Sequence, residues 1–260
     1  MAAKTTNDWN PGTYHRFRGQ RLQPALDLLA RIGGLPDGDV VDLGCGSGAA
    51  APALAARFAG RQLIGVDSSD AMLAEAGALG RYARLECADI AEWRPEDRPA
   101  LIFSNAALHW VHGHEALLPR LAGMLAPDGV LAVQVPHQNN APSHRVWLSL
   151  VNEMFPGAYD ASGGPGILLP ADYHRILSPL GRLELWETEY YQALPADEDG
   201  HPVRRFTEAT FARPILSALD DTQQARLIAA YEAVMDKAYP RGADGTVLFP
   251  FRRLFFTLQV

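Results

Sequence analysis

The sequence predicts an α/β fold, a mostly parallel sheet with helices on both faces. Three observations carry this. Short apolar runs alternate with helical patterns through the first half of the chain, as in a parallel sheet joined by crossover helices. The first run, VVDL at 40–43, feeds a glycine-dense turn, GCGSG at 44–48. The second, QLIGVD at 62–67, ends on an acid about 20 residues later, the interval between a nucleotide-gripping turn and a ribose-gripping carboxylate.

The elements follow in order. Leu22, Leu26, Leu29 and Ala30 place an amphipathic helix over 20–32. Gly33, Gly34, Pro36 and Gly38 end it. Strand one covers 40–43, and an alanine-rich helix covers 49–58. Strand two is 62–66, followed by a helix over 69–79 with Ser68 or Ser69 as N-cap. Strand three is 83–87 and strand four 100–104. A helix over 115–125 is stopped by Pro127 and Gly129, and strand five is 130–135. Beyond Val135 the pattern loosens. Residues 156–170 are rich in Gly and Pro and read as loop. A helix at 171–177, a strand at 183–191, helices at 203–218 and 221–238, and a final apolar strand at 246–260 complete the chain. The second half thus adds two strands with a helical insertion between them, at about 200–240. No linker separates two independent parts, so one domain over 1–260 is expected.

Composition sets bounds on partners. With 260 residues, 48% hydrophobic and 20% charged, the chain can bury a sizeable core. A net charge of −7 argues against nucleic acid, which calls for a basic face. Cys45 and Cys87 alone make no disulfide framework and suit a reducing cytoplasm. No apolar run reaches the length of a membrane span. Residues 1–12 lack the apolar segment of a secretory signal. The expectation is a cytoplasmic monomer or weak homodimer with no membrane or nucleic-acid partner.

Gly44, Gly46 and Gly48 let backbone approach a ligand and supply positive φ. The plain alternative is a tight strand-to-helix turn without a ligand, which the second acid, Asp67, makes less attractive. Two cofactor classes fit. GCGSGA at 44–49 satisfies the dinucleotide pattern. The other class is S-adenosylmethionine, which has no phosphate and carries a sulfonium cation. Asp42 favours the second, because its charge is unwelcome near a pyrophosphate and welcome near a cation. Asp89, after strand three, adds a further acid able to accept from an adenine amino group. Acids at the ends of successive strands suit a cationic cofactor at the carboxyl edge of the sheet.

DLGCGSG at 42–48, VDSSDAM at 66–72 and ADI at 88–90 resemble the motifs of class I S-adenosylmethionine-dependent methyltransferases. The resemblance covers roughly residues 20–135, which it marks as the cofactor-binding core, leaving 136–260 for substrate-side elements. It implies a Rossmann-like, seven-stranded sheet with an antiparallel last strand. It also implies roles. Gly44 and Gly46 pass the methionine moiety. Asp67 holds the ribose hydroxyls, with Ser68 and Met72 of the same motif among the cofactor contacts. Asp89 and Ile90 meet the adenine. Asn105 lies near the methionine part and the transfer site.

Further segments are similar to the trans-aconitate 2-methyltransferase family: DWNP at 8–11, Tyr14, Phe17, Arg21, NAALHW at 105–110, Arg213-Pro214 and RLFF at 253–256. His109 and Arg252 depart from the glutamine and proline expected at those places. The resemblance implies a polycarboxylate as the methyl acceptor. A carboxylate is ionised at pH 7 and needs no general base, so alignment by Asn105, His109 and Trp110 can suffice. A tricarboxylate calls for arginines, whose planar forks match carboxylates. Among Arg16, Arg18, Arg21, Arg213, Arg252 and Arg253, the motif positions favour Arg21, Arg213 and Arg253, with Tyr14 and His109 beside the substrate. Arg21 is equally a candidate for the cofactor's carboxylate.

Alternatives stand beside these roles. His109 would serve as base if the acceptor were a hydroxyl or amine. His112 and His114 have no assigned partners for a metal, and none is expected. Trp9, Tyr14 and Phe17 read either as a lid or as ordinary packing, and Trp110, Tyr190 and Tyr191 either as pocket wall or as core. Cys45, inside the glycine loop, reads as structural although a helix N-terminus lowers a thiol's pKa.

Overall fold

In the computed structural model, seven strands form one sheet in the order β3-β2-β1-β4-β5-β7-β6. Residues 18–160, 166–197, 199–208 and 210–260 are described, with side chains from Leu22 onward. The strands are β1 (Val40–Leu43), β2 (Leu63–Asp67), β3 (Arg84–Cys87), β4 (Leu101–Asn105), β5 (Val130–Pro136), β6 (Arg182–Leu194) and β7 (Val247–Gln259). The helices are α1 (Arg18–Ala30), α2 (Ala51–Arg57), α3 (Asp70–Ala78), α4 (His114–Gly123), α5 (Pro142–Met154), α6 (Pro170–Leu177), α7 (Pro202–Glu208), α8 (Arg213–Ser217) and α9 (Asp221–Ala238).

The pairs β1–β2, β1–β4, β2–β3 and β4–β5 are parallel. β7 opposes β5. Asp128 N donates to Val260 O at 3.1 Å near one end, and His137 N donates to Arg252 O at 2.9 Å near the other. The antiparallel last strand implied by the sequence is present. Every residue of β1 is buried, as are the first four of β2 and β4. Strands covered on both faces read as near-continuous apolar runs, which is why these three stand out in the sequence even with Asp42 inside β1 and Ser104 inside β4.

One sheet face carries Val41, Leu43, Ile64, Val66 and Ile102, packed with Leu117, Leu118 and Leu121 of α4 and with Tyr173 and Leu177 of α6. The intervening residues, Val40, Asp42, Gly65 and Phe103, take the other face by the two-residue period of a strand. Both α2 and α3 contact β2. Ser69 caps α3 by accepting from Met72 N and thereby fixes where the helix leaves β2.

The chain folds into two compact units. The first takes the described parts of Met1–Val135, Pro165–Glu187 and Leu254–Val260. The second takes those of Pro136–Gly164 and Thr188–Arg253. Each unit holds part of β6 and part of β7. In the second unit, α5 packs against α7, α8 and α9. Trp147 of α5 stacks on Tyr231 of α9 with centroids 3.8 Å apart, and its indole N–H donates to Thr207 Oγ1 at 3.0 Å.

Two expectations need correction. The helix read over 203–218 is two helices, α7 and α8. Pro214 lies in the first turn of α8, where its missing N–H and locked φ start a helix rather than continue one. Helix α5 falls where the pattern loosened. Its buried stripe is Ser143, His144, Trp147 and Val151, so polar residues hold positions where periodicity looks for apolar ones.

Candidate active site

The turns that follow β1, β2, β3 and β4 converge. Gly46 N donates to Asp67 Oδ2 at 2.8 Å, and Ser69 N donates to Asp67 Oδ1 at 3.0 Å. The Asp67 carboxylate therefore ties the glycine turn to the end of β2. Gly44 has φ +76, and a Cβ there would collide with the Ala107 side chain and stand 3.2 Å from Ile90 Cδ1. Close packing after β3 and β4 requires that glycine. Gly46, with φ +53, differs: a Cβ there would meet nothing within 4 Å. Its bare backbone faces open space.

Asn105 ends β4 beside this turn, two residues beyond Phe103, the register partner of Asp42. Its Oδ1 is buried with no hydrogen-bond partner among the described residues. Such an acceptor is costly unless a ligand or water satisfies it. The next residue, Ala106, is held at φ 53, an uncommon conformation for a residue with a side chain. Its N–H donates to Gln134 O at 2.9 Å. The backbone is thus forced to turn at the point where β4 delivers Asn105.

Asp42 is 2% exposed and accepts a 2.7 Å hydrogen bond from the Tyr82 hydroxyl. Burial pushes its carboxyl up to about 7, with the Asp67 charge adding and Tyr82 opposing. Cys45 is buried, and burial together with the charges of Asp42 and Asp67 raises its thiol. The helix after the turn starts only at Ala51, so no helix terminus activates Cys45. Met72 is 5% exposed within α3, and Ser68 is exposed. Asp89 is exposed, with Oδ1 accepting from Ala91 N at 2.8 Å. Ile90 is half-buried against the core.

An open space beside Gly46, an anchored Asp67 and a buried unsatisfied acceptor on Asn105 fit a cationic amino-acid nucleoside. A pyrophosphate would bring negative charge to an edge that already holds Asp42, Asp67 and Asp89.

The 3₁₀ turn Leu108–Trp110 follows. His109 is 7% exposed, and its ring centroid lies 4.5 Å from that of Trp110, itself 47% exposed. In the second unit Arg253 is 6% exposed, its guanidinium 4.8 Å from the Phe251 ring centroid. Arg213 is exposed at the head of α8. Arg252 is also exposed and lies 3.6 Å from the Glu189 carboxylate. Tyr190 is half-buried, and Tyr191 is exposed. Tyr14, Trp9, Phe17, Arg16 and the side chains of Arg18 and Arg21 lie outside the described residues.

Sequence reasoning passed over Tyr82 and Tyr173, and weighed His114 only as a metal ligand. The partners of the two tyrosines are 40 and 59 residues away, and no motif marks them. Among the described residues no group of three or more metal-ligating side chains gathers, and no helix is long and apolar enough to cross a membrane.

A methyltransferase domain family matches residues 14–195. The trans-aconitate 2-methyltransferase of Paracidovorax citrulli is 40% identical over 97% of this chain and 98% of its own length. That of Methylobacterium nodulans is 41% identical over the same shares. The chain belongs to the trans-aconitate 2-methyltransferase family. It is therefore an S-adenosylmethionine-dependent methyltransferase. Solved structures agree on the fold. An S-adenosylmethionine-dependent methyltransferase of Mesorhizobium loti covers 90% of this methyltransferase and 96% of its own chain, at TM-score 0.50 and 18% identity. The Haemonchus contortus phosphoethanolamine N-methyltransferase 2, solved with S-adenosyl-L-methionine, covers 91% of it and 52% of its own chain, at TM-score 0.52 and 18% identity.

Proposed function

We propose that this methyltransferase transfers a methyl group to one carboxylate of trans-aconitate, or of a close polycarboxylate, giving a monomethyl ester and S-adenosylhomocysteine in the cytoplasm. The observation that carries this reading is the similarity to relatives of that name over nearly the whole chain. The buried Arg253 supports it, because a desolvated guanidinium binds a carboxylate far more strongly than an exposed one.

When bound, S-adenosylmethionine supplies an electrophilic methyl group on a sulfonium. The chain's residues hold and align. Asp67, Ser68 and Met72 take the ribose side, Asp89 and Ile90 the adenine, and Gly44 and Gly46 the methionine part. Asn105 Oδ1 would accept from the ammonium, and Asp42, its carboxyl raised to about 7 by burial, would be drawn to its ionised form by the bound cation. Arg253, Arg213 and Arg21 are the candidates to neutralise and orient the acceptor's carboxylates, and Tyr14, His109 and Trp110 are the other candidates for contact with the acceptor. The acceptor is already ionised, so no residue has to remove a proton. Catalysis then rests on proximity and exclusion of water.

His109 tests this directly. For a carboxylate acceptor, kcat stays level from about pH 6 to 8, and His109→Gln keeps near-wild-type kcat. A kcat that follows a histidine-like pKa, and falls by about 10²-fold or more in His109→Gln, would make His109 the base for a hydroxyl or amine acceptor.

A further inference from the structure

We propose that His114 and Tyr173 are positioning residues that lock the turn carrying His109 and Trp110. The proposal rests on the reading above in that this turn borders the transfer site. His114 is 1% exposed at the first residue of α4, and Tyr173 is 1% exposed within α6. His114 Nδ1 lies 2.7 Å from the Tyr173 hydroxyl, and Nε2 lies 2.9 Å from the carbonyl oxygen of Leu108. A carbonyl only accepts, so Nε2 carries the proton and Nδ1 accepts from Tyr173. The Tyr173 oxygen in turn accepts from Leu168 N at 3.4 Å. The relay is thus directional: Leu168 N–H to Tyr173, Tyr173 O–H to His114, His114 Nε2–H to Leu108. Neither ring nitrogen is left over.

A second link runs parallel. Gly166 N donates to the His109 carbonyl at 3.0 Å. A Cβ at Gly166 would run into the Val111 carbonyl, so the backbone at 166 presses on the turn as only glycine allows. The segment 166–168 therefore grips the turn at Leu108 and at His109. Within the turn itself, Trp110 N donates to Ala107 O and Val111 N to Leu108 O. An apolar pair would fill the same volume without the cost of burying polar groups. The polar relay adds direction, because it ends on the carbonyl of the turn. Burial lowers the pKa of His114, with the backbone carbonyls of Leu108 and Val111 and then the Glu115 charge opposing, and His112 adding, so the neutral tautomer that the relay needs persists at neutral pH.

The test compares Tyr173→Phe, which keeps the ring and removes the hydroxyl, with His114→Gln and His114→Leu. Tyr173→Phe should lower kcat by about tenfold and leave the dissociation constant of S-adenosylmethionine unchanged. Amide exchange at Trp110, Val111 and Gly166 should rise by about tenfold while that of β4 stays at the wild-type level. His114→Gln keeps an N–H for the Leu108 carbonyl and should hold the turn better than His114→Leu. Unchanged exchange at 110–111, loosening that spreads to β4, or equal loosening by the two His114 variants would overturn the proposal. If the wild-type enzyme does not methylate trans-aconitate, the substrate reading fails, and the exchange pattern still decides this inference.

Discussion

Asp42 and His144 place opposite slopes on stability across mildly acid pH. Burial moves Asp42 from 3.8 up to about 7. The native state then binds more protons than the unfolded chain between those values, and stability falls as pH rises through them. Burial moves His144 from 6.5 down to about 4. There the unfolded chain binds the extra proton, and stability is lost as pH falls. A full proton of difference is worth about 1.4 kcal/mol per pH unit, so the two contributions largely offset. His114 and His201, also lowered by burial, add to the histidine side. Asn at position 42 still accepts from Tyr82 but does not titrate. For Asp42→Asn without cofactor, the unfolding free energy should climb with pH more steeply than for wild type between about 4.5 and 6.5, by about 1 kcal/mol per unit. Denaturant titrations at a series of pH values check this, and parallel curves would mean that Asp42 stays ionised in the native state. The binding residues give a crossed pair of kinetic predictions. Arg253→Ala should raise the KM for the acceptor far more than that for the cofactor, and Asp67→Ala should do the reverse. Equal effects on both KM values would remove the assigned roles.

At the scale of elements, helix α9 starts on a capping box. Asp220 Oδ1 accepts from Gln223 N at 2.9 Å, and Gln223 Oε1 accepts from Asp220 N at 3.1 Å. Asp220→Ala should cost about 1 kcal/mol and lower Tm by about 2–4 °C. An unchanged Tm would mean that the start of α9 frays without consequence. Elements were legible in the sequence where one physical signal dominates. β1, β2 and β4 are buried on both faces and read as mostly apolar runs despite Asp42 in β1 and Ser104 in β4, and a serine, read as Ser68 or Ser69, marks the start of α3 as a cap. Signals that conflict hid the rest. The stripe of α5 mixes Ser143 and His144 with Trp147 and Val151, so its periodicity is diluted. Pro214 splits the segment read as one helix because a proline starts a helix better than it sits inside one.

At the scale of the molecule, the parallel sheet and the glycine edge were readable because they rest on local motifs. The turn, the acid at the end of β2 and the acid after β3 each lie within a few residues of a strand end. What was not readable depends on residues brought from afar: Tyr82 on Asp42, Tyr173 on His114, and the contact of Ala107 and Ile90 with Gly44 that explains that glycine. The open space beside Gly46 and the unsatisfied Asn105 oxygen are properties of the assembled edge, and no sequence pattern encodes them. The substrate came from family resemblance, which the full-length relatives support, and not from composition or spacing. It is also the central claim. Purified enzyme should be incubated with methyl-labelled S-adenosylmethionine and, in turn, trans-aconitate, cis-aconitate, isocitrate and citrate, and the base-labile product counted. The account predicts ester formation with trans-aconitate above the other acids. Binding of the cofactor with no transfer to any of these acids would contradict it.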